Sequence, residues 1–519
     1  MEYRKIKKRL TTRREFLIST VALGVGTVSG CQLSASDSGL KQQSLKPLKP
    51  LDEFLNYDAL GLAELIRKKE VSPAELVEVV IHRIKVLNPT INCIATQTFE
   101  RAIEKSKTIS SQTTFAGVPS LIKDMIDVGG VRRSDGSRLL ATNIPGKSVE
   151  YVKAFEESGL NLVGTTTVPE FASGLESDLY GQTRNPWNLE YSCIASSSGA
   201  AAAVAAGYVP LVHGTDGGGS NRLPSHACGT FGFKPSRYRM LSGEAGGSHD
   251  PFKTNNAISR TVRDSAALFN ATEDKSRKVF EPIGFVPAAS KRRMRIAYAP
   301  NGVQGFPVVP SIREAQDDIV KLLMELGHTV DEVRHPVNGE EFFDNFRHAF
   351  LPKFTPLLAA VTAITGRPPK ESGLLTHWTA TMIESSRDFS DQQIQAGQAY
   401  FANPEAIYQG IFDQYDVLFT AVTPDETPKL GTIKPSDDWD EKSHIFERMM
   451  CITAPTNAVG NCAISVPLAF SKSTAMPVGS MFQAKTGDDQ LLYELAYELE
   501  QARPWKDHWA PHSAMFAGG

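Results

Sequence analysis

Apolar positions recur at helical spacing in two long segments of the chain. Leu76, Val79, Val80 and Ile84 share one face behind Ser72-Pro73-Ala74-Glu75, which has the form of a capping box with proline at the first helical position. A helix is predicted there. Ile312, Ala315, Ile319, Leu322, Leu323 and Leu326 repeat the pattern behind Ser311 and Glu314, with Gly327 as the stop. Just upstream, Met294-Arg-Ile-Ala-Tyr298 has the short apolar character of a buried strand. Residues 340–415 are helix-prone and carry little other pattern. Strands and helices thus alternate on both sides of the middle. That predicts an α/β fold with a mixed central β-sheet covered by helices on both faces. No internal repeat is present.

The stretch from Ile194 to Val212 contains no charged residue and has the length of a membrane span. It consists largely of Ala, Ser and Gly, whose transfer from water to lipid yields little free energy. A helix of such small residues lets other backbone approach closely, so a helix buried in the protein centre is expected.

The N-terminus follows a different pattern. Arg4, Lys5, Lys7, Lys8 and Arg9 precede Thr12-Arg13-Arg14-Glu15-Phe16-Leu17, and a short apolar run extends from Ile18 to Val28. A cationic segment followed by a short apolar one is an export signal, and the twin arginine resembles the signal of the Tat machinery. Val28-Ser29-Gly30-Cys31 resembles a lipobox, in which Cys31 is lipidated and anchors the chain to a membrane. The expected organisation is a signal at 1–31, a flexible tether at 32–52 and a folded domain at 53–515, with the protein periplasmic or at the cell surface.

Composition narrows the classes further. The 519 residues are 41% apolar and 22% charged, which gives ample material for a large core and excludes a disordered or fibrous chain. The formal charge of −3 combines a basic leader with an acidic body, so no nucleic-acid partner is expected. Apart from Cys31, the cysteines are Cys93, Cys193, Cys228, Cys451 and Cys462, an odd number that makes a poor disulfide framework. There is no CxxC or HExxH, and Gly146-Lys147-Ser148 lacks the first glycine of a phosphate-binding loop. Neither a metal nor a cofactor is expected.

Three segments carry unusual chemistry. In Gly117-Val-Pro-Ser-Leu-Ile-Lys123-Asp124 a lysine lies within an apolar run that would bury it. Burial disfavours the ammonium, and a neutral amine can act as a base; a lysine reaching solvent or paired with Asp124 is the plainer alternative. In Ala195-Ser196-Ser197-Ser198-Gly199 the serines open the Ala-rich stretch, where helix capping is their commonest use. In Gly214-Thr215-Asp216-Gly217-Gly218-Gly219-Ser220-Asn221-Arg222 the glycines present bare backbone N–H groups, as an oxyanion hole requires. Together they suggest a serine activated by a lysine through a second serine, a device for acyl transfer.

At these positions the sequence resembles the amidase signature hydrolases. Ile194-Ala-Ser-Ser-Ser-Gly-Ala-Ala-Ala-Ala-Val-Ala-Ala-Gly207 is similar to the family's serine- and alanine-rich block, and Gly214 to Pro224 matches its Gly-Thr-Asp-x-Gly-Gly-Ser-x-Arg-x-Pro. Cys228-Gly-Thr-Phe-Gly-Phe-Lys-Pro235, Asn185-Pro-Trp187, Tyr415-Asp-Val-Leu, Ala454-Pro-Thr-Asn and Ala463-Ile-Ser-Val-Pro fall in the family's order. The resemblance implies one domain that hydrolyses the C–N bond of a small amide substrate. It implies Lys123 as general base, Ser196 as bridging serine after a cis peptide bond and Ser220 as nucleophile. The backbone N–H groups of Gly217, Gly218 and Gly219 would form the oxyanion hole, with Asp216 and Arg222 as structural braces. Gly217-Gly-Gly-Ser220 and Lys234-Pro-Ser-Arg237 are similar to the 6-aminohexanoate cyclic dimer hydrolase branch.

The sequence departs from the family in having Cys193-Ile194-Ala195 where Pro-Gly-Gly is usual, Ser198 for glycine and Asn221 for isoleucine. These changes leave open a tethered binding protein on an inactive amidase scaffold. A second enzyme class is also open, because Ser120-Leu-Ile-Lys123 and Lys485-Thr-Gly487 fit two motifs of penicillin-interacting enzymes.

Overall fold

Alternation along the strands explains the architecture. In the computed structural model, which describes residues 50–518, Leu121, Val212 and Ile258 pack into one apolar layer. Their strand neighbours Ile122, Leu211 and Ala257 pack into a second layer on the opposite face. Successive residues of a strand point to opposite faces, so a sheet that carries apolar side chains on both faces must be covered on both. The Ala-rich helix Ser198–Ala205 and the helix Pro73–Ile91 contribute to the first layer. The helices Val262–Thr272 and Asp489–Ala502 contribute to the second.

Eleven strands form the central sheet. They are β1 (Ile94–Gln97), β2 (Pro119–Lys123), β3 (Asn161–Thr166), β6 (Leu211–Asp216), β7 (Phe231–Lys234), β8 (Thr254–Ser259), β9 (Arg295–Tyr298), β10 (Thr329–Glu332), β11 (Val417–Ala421), β12 (Cys462–Phe470) and β13 (Pro477–Ala484); β4 (Arg184–Asn185) and β5 (Asn188–Ser192) form a separate hairpin. The spatial order is β1-β3-β2-β6-β8-β7-β12-β13-β11-β9-β10. β2 runs parallel to β3 and β6, whereas β8 is antiparallel to β6 and β7. The sheet is mixed and the fold is α/β, as the alternation of elements predicts.

Three local expectations meet different outcomes. The capping box forms at Ser72, whose side chain accepts the Glu75 N–H at 3.2 Å while Glu75 accepts the Ser72 N–H at 2.8 Å. The second helix runs over Pro310–Glu325 with Val309 as its cap and no capping side chain. Proline takes the first helical position because its fixed φ suits it and its missing N–H costs nothing there, so Ser311 falls inside the helix instead of capping it. The uncharged stretch 194–212 is broken into three. Only Ser198–Ala205 is helical, Gly207 turns the chain at φ +75°, and β6 begins at Leu211. No described helix is long and apolar enough to cross a membrane.

The signal at 1–31, with Cys31, and all of the tether but its last three residues lie outside the described residues. Those last residues are already on the body. Leu51 N–H donates to Ala514 O at 2.8 Å, and Arg83 Nε donates to Asp52 at 2.7 Å.

Candidate active site

β2 and β6 lie side by side and parallel, so their carboxyl ends open onto the same edge of the sheet, where ligand sites of α/β proteins form. Lys123 is the last residue of β2 and Thr215 and Asp216 end β6. Lys123 is fully buried. Its Nζ donates to Ser196 Oγ at 2.7 Å, to Thr215 Oγ1 at 2.7 Å and to Thr215 O at 3.4 Å. Desolvation works against the ammonium, the charge of Lys253 adds to that effect, and Asp216 and Asp135 oppose it; the outcome is a lysine held well below its ordinary range.

Ser196 reaches the lysine because the chain before it turns back on itself. Ile194 adopts φ +53° with its N–H donated to Ser192 Oγ at 2.9 Å, and the Ala195–Ser196 peptide is cis. The left-handed region disfavours a β-branched residue, where the family has glycine. Ile194 is buried in the core layer of the Ala-rich helix, and that burial offsets the cost. The departure at 193–195 therefore leaves the serine in place. Ser196 Oγ donates to Ser220 Oγ at 2.9 Å, so one hydroxyl stands between lysine and serine. Ser197 ties the same loop to the turn, its N–H donating to Ser220 O at 3.3 Å.

The glycine turn is shaped by what surrounds it. A Cβ on Gly219, at φ +124°, would come within 2.3 Å of Thr453 Oγ1, and one on Gly218 within 2.9 Å of Met450 Cε. No side chain fits at Gly219. Its N–H donates to Asp216 Oδ1 at 2.8 Å, which differs from the oxyanion role expected of it. The buried carboxylate needs donors, and Gly219 N–H is one of the nearest. The N–H groups of Gly217 and Gly218 have no acceptor among the described residues, and both glycines and Ser220 are partly exposed.

Beneath the turn, Asp216 and Arg222 form a wholly buried ion pair, with Nε to Oδ2 at 2.9 Å and Nη2 to Oδ1 at 3.0 Å. Arg222 also donates to Thr453 O and Asn457 Oδ1, and Asn457 Nδ2 returns a bond to Asp216 Oδ1 at 3.0 Å. Burial raises the carboxyl's affinity for a proton, but Arg222 outweighs it and holds Asp216 below the usual carboxylate range. Asn221, where the family has isoleucine, sends its Oδ1 toward Ser197 Oγ at 3.4 Å.

The sequence alone gives Thr215, Thr453 and Asn457 no role. Thr215 and Asn457 lie within family-like blocks, but only the buried lysine beside Thr215 gives that residue a part. Thr453 and Asn457 act on residues more than 230 positions away, a role that no local pattern signals. Ser120 is a fully buried strand residue donating to Leu211 O at 2.8 Å, which removes it as an accessible nucleophile. Among the described residues no group of three or more His, Cys, Asp or Glu could hold a metal ion. The five described cysteines are buried thiols.

Known proteins share much of this chain's sequence and its fold. The family model described as Amidase matches residues 75–493. The putative amidase AmiC of Mycobacterium leprae (strain TN) is 35% identical over 470 residues, covering 88% of this chain and 97% of that protein. The 6-aminohexanoate-cyclic-dimer hydrolase of Paenarthrobacter ureafaciens is 30% identical over 494 residues, covering 86% and 95%. The solved structure of 6-aminohexanoate cyclic dimer hydrolase complexed with substrate superposes with a TM-score of 0.78 at 27% identity, covering 88% of this chain and 99% of that one.

Proposed function

The chain belongs to the amidase family, and from that premise we propose that it cleaves small carboxamides through an acyl-enzyme on Ser220. The observation that carries this reading is the unbroken contact line from Lys123 Nζ through Ser196 Oγ to Ser220 Oγ, at 2.7 and 2.9 Å. Hydroxyl hydrogens rotate, so the same line runs in the direction the reaction needs. Ser196 passes its proton to the neutral amine of Lys123 and takes that of Ser220, whose oxygen attacks the amide carbonyl. The N–H groups of Gly217 and Gly218 receive the oxyanion, because that of Gly219 already serves Asp216. The lysine ammonium returns its proton through Ser196 to the departing amine, and water then releases the acid. Asp216 and Arg222 hold the turn and take no proton.

Labelling with a fluorophosphonate tests the nucleophile, with the modified peptide mapped by mass spectrometry. The label is expected on Ser220, together with steady hydrolysis of members of an amide panel. A folded protein that takes no label and binds amides without turnover would establish the inactive binding scaffold instead.

We further propose that the enzyme is exported through the Tat machinery and held at a membrane by lipid on Cys31, on the strength of Arg13-Arg14 and Val28-Ser29-Gly30-Cys31. Wild-type protein is then expected in the membrane fraction with its mature chain starting at a lipidated Cys31. Cys31→Ala should move it to the soluble fraction or leave its leader uncleaved. An unmodified Cys31 in the mature protein would refute the anchor.

A further inference from the structure

Lys253 stands immediately before β8. Pairing of β6 with β8 ends at Asp216 opposite Thr254. The next step along both chains therefore sets Lys253 beside Gly217, where a Cβ on the glycine would lie 3.8 Å from Lys253 Cβ. The Lys253 ammonium meets the carboxylate of Glu244, and the two side chains are only 21% and 28% exposed. Asp250 Oδ1 accepts the Lys253 backbone N–H at 3.0 Å. A cation is thus pinned at the rim of the glycine turn, beyond the strand that brings Thr215 to Lys123.

The other titratable groups around Lys123 do not share the effect of Lys253, since Asp216 and Asp135 oppose it even though each has a guanidinium partner. From β6 comes Asp216, twice bonded by Arg222, and His213, which burial pushes down to about 3 and keeps neutral. From the loop after β2 comes Asp135, which accepts from Arg133 Nε at 2.7 Å and Nη2 at 3.0 Å. Asp124, next in the chain, is turned to Ser134 and Tyr180, and burial draws its pKa up to about 6. Lys253 is the cation whose effect on Lys123 has the same sign as burial.

We infer that Lys253 is a positioning residue for the base: held by Glu244 beside Gly217, two residues along from the Thr215 that bonds Lys123, its ammonium adds to the burial that favours the proton-accepting form of Lys123, and Glu244 sets how much of that charge the base feels. The inference rests on Lys123 being the base that activates Ser220.

The test needs no known substrate. The second-order rate of fluorophosphonate labelling at Ser220 is followed from pH 5 to 9 in wild type, Lys253→Met, Lys253→Arg and Glu244→Gln, with thermal unfolding of each recorded alongside. Protonated Lys123 cannot accept a proton, so labelling falls on the acid side. Removing a nearby cation lets Lys123 hold its proton to higher pH, and the acid limb should move up by about half a pH unit in Lys253→Met. It should stay in place in Lys253→Arg and move down in Glu244→Gln, where Lys253 has lost its counter-charge. Both displacements should shrink at high salt. A merely structural role would change rates or stability at every pH and leave the limb where it is. An unmoved limb in Lys253→Met, or displacement of Glu244→Gln in the same direction, overturns the inference, and the second variant decides alone if the first does not fold. Label on a residue other than Ser220, or wild-type labelling unaffected by Lys123→Ala, overturns the underlying mechanism as well.

Discussion

Ser220→Ala is expected to lower kcat for amide hydrolysis by about a thousandfold or more while leaving the fold and the unfolding temperature nearly unchanged. The hydroxyl is the attacking atom, and the side chain is partly exposed, so its loss opens no core cavity. Lys123→Ala should abolish fluorophosphonate labelling at neutral pH, because Ser196 would have no amine to receive its proton. Its effect on folding is separable. Lys123 is buried, which lowers its pKa, and alanine there leaves Ser196 Oγ and Thr215 Oγ1 each short of one partner. Losses from the two substitutions should not add, since lysine and serine act as one unit. The acid limb of wild-type activity reports the same group. Burial, reinforced by Lys253, holds Lys123 below the ordinary lysine range, so activity should persist at pH values where an exposed lysine is fully protonated, then fall as Lys123 gains its proton. Substantial hydrolysis by Ser220→Ala, measured on protein free of wild type, would move the nucleophile elsewhere.

Arg222→Met should be the most damaging single change to stability near the site, by about 3–5 kcal/mol in denaturant unfolding. Asp216 would remain wholly buried without its paired guanidinium, leaving Lys234 as the nearby cation, and Asn457 and Thr453 O would lose the group that joins them. The pH dependence supplies a check on the cause. In the wild type Asp216 is held below its unfolded value, so its contribution is complete above about pH 4 and is lost as pH falls further. In the variant, desolvation without Arg222 raises the carboxyl pKa. Its contribution then declines as pH rises from about 4 toward that raised value. Stability that depends on pH in the same sense for both proteins would show that the ion pair is not the source of the loss.

The elements legible in the sequence are those whose cause is local. The capping box at Ser72 closes within three residues, and the buried strand Arg295–Tyr298 shows in its own side chains. The glycine–serine turn is legible because its three successive glycines stand in the sequence itself, although the residue that requires one of them at Gly219, Thr453, lies far along the chain. Val309 replaced Ser311 as a cap because proline at the first helical position outweighs a serine one residue later. The Ala-rich stretch read as one helix because small apolar residues suit a buried helix and a buried strand alike. The left-handed turn at Gly207 and the pairing of Leu211 with Ser259 divided it.

By itself the sequence determined the chemical parts of this protein: a lysine inside an apolar strand, two serines and a glycine turn, in the order of an amide hydrolase. Tertiary structure alone decided how those parts meet. Ser196 reaches Lys123 across 73 residues, and Asn457 reaches Arg222 across 235. Lys253 comes to the rim of the turn only because β8 pairs with β6 ahead of β7 in the sheet. Contacts within a turn of chain follow from φ/ψ preferences and short hydrogen bonds. Contacts between distant strands follow from which faces must be buried together, and that is settled by the whole sheet at once.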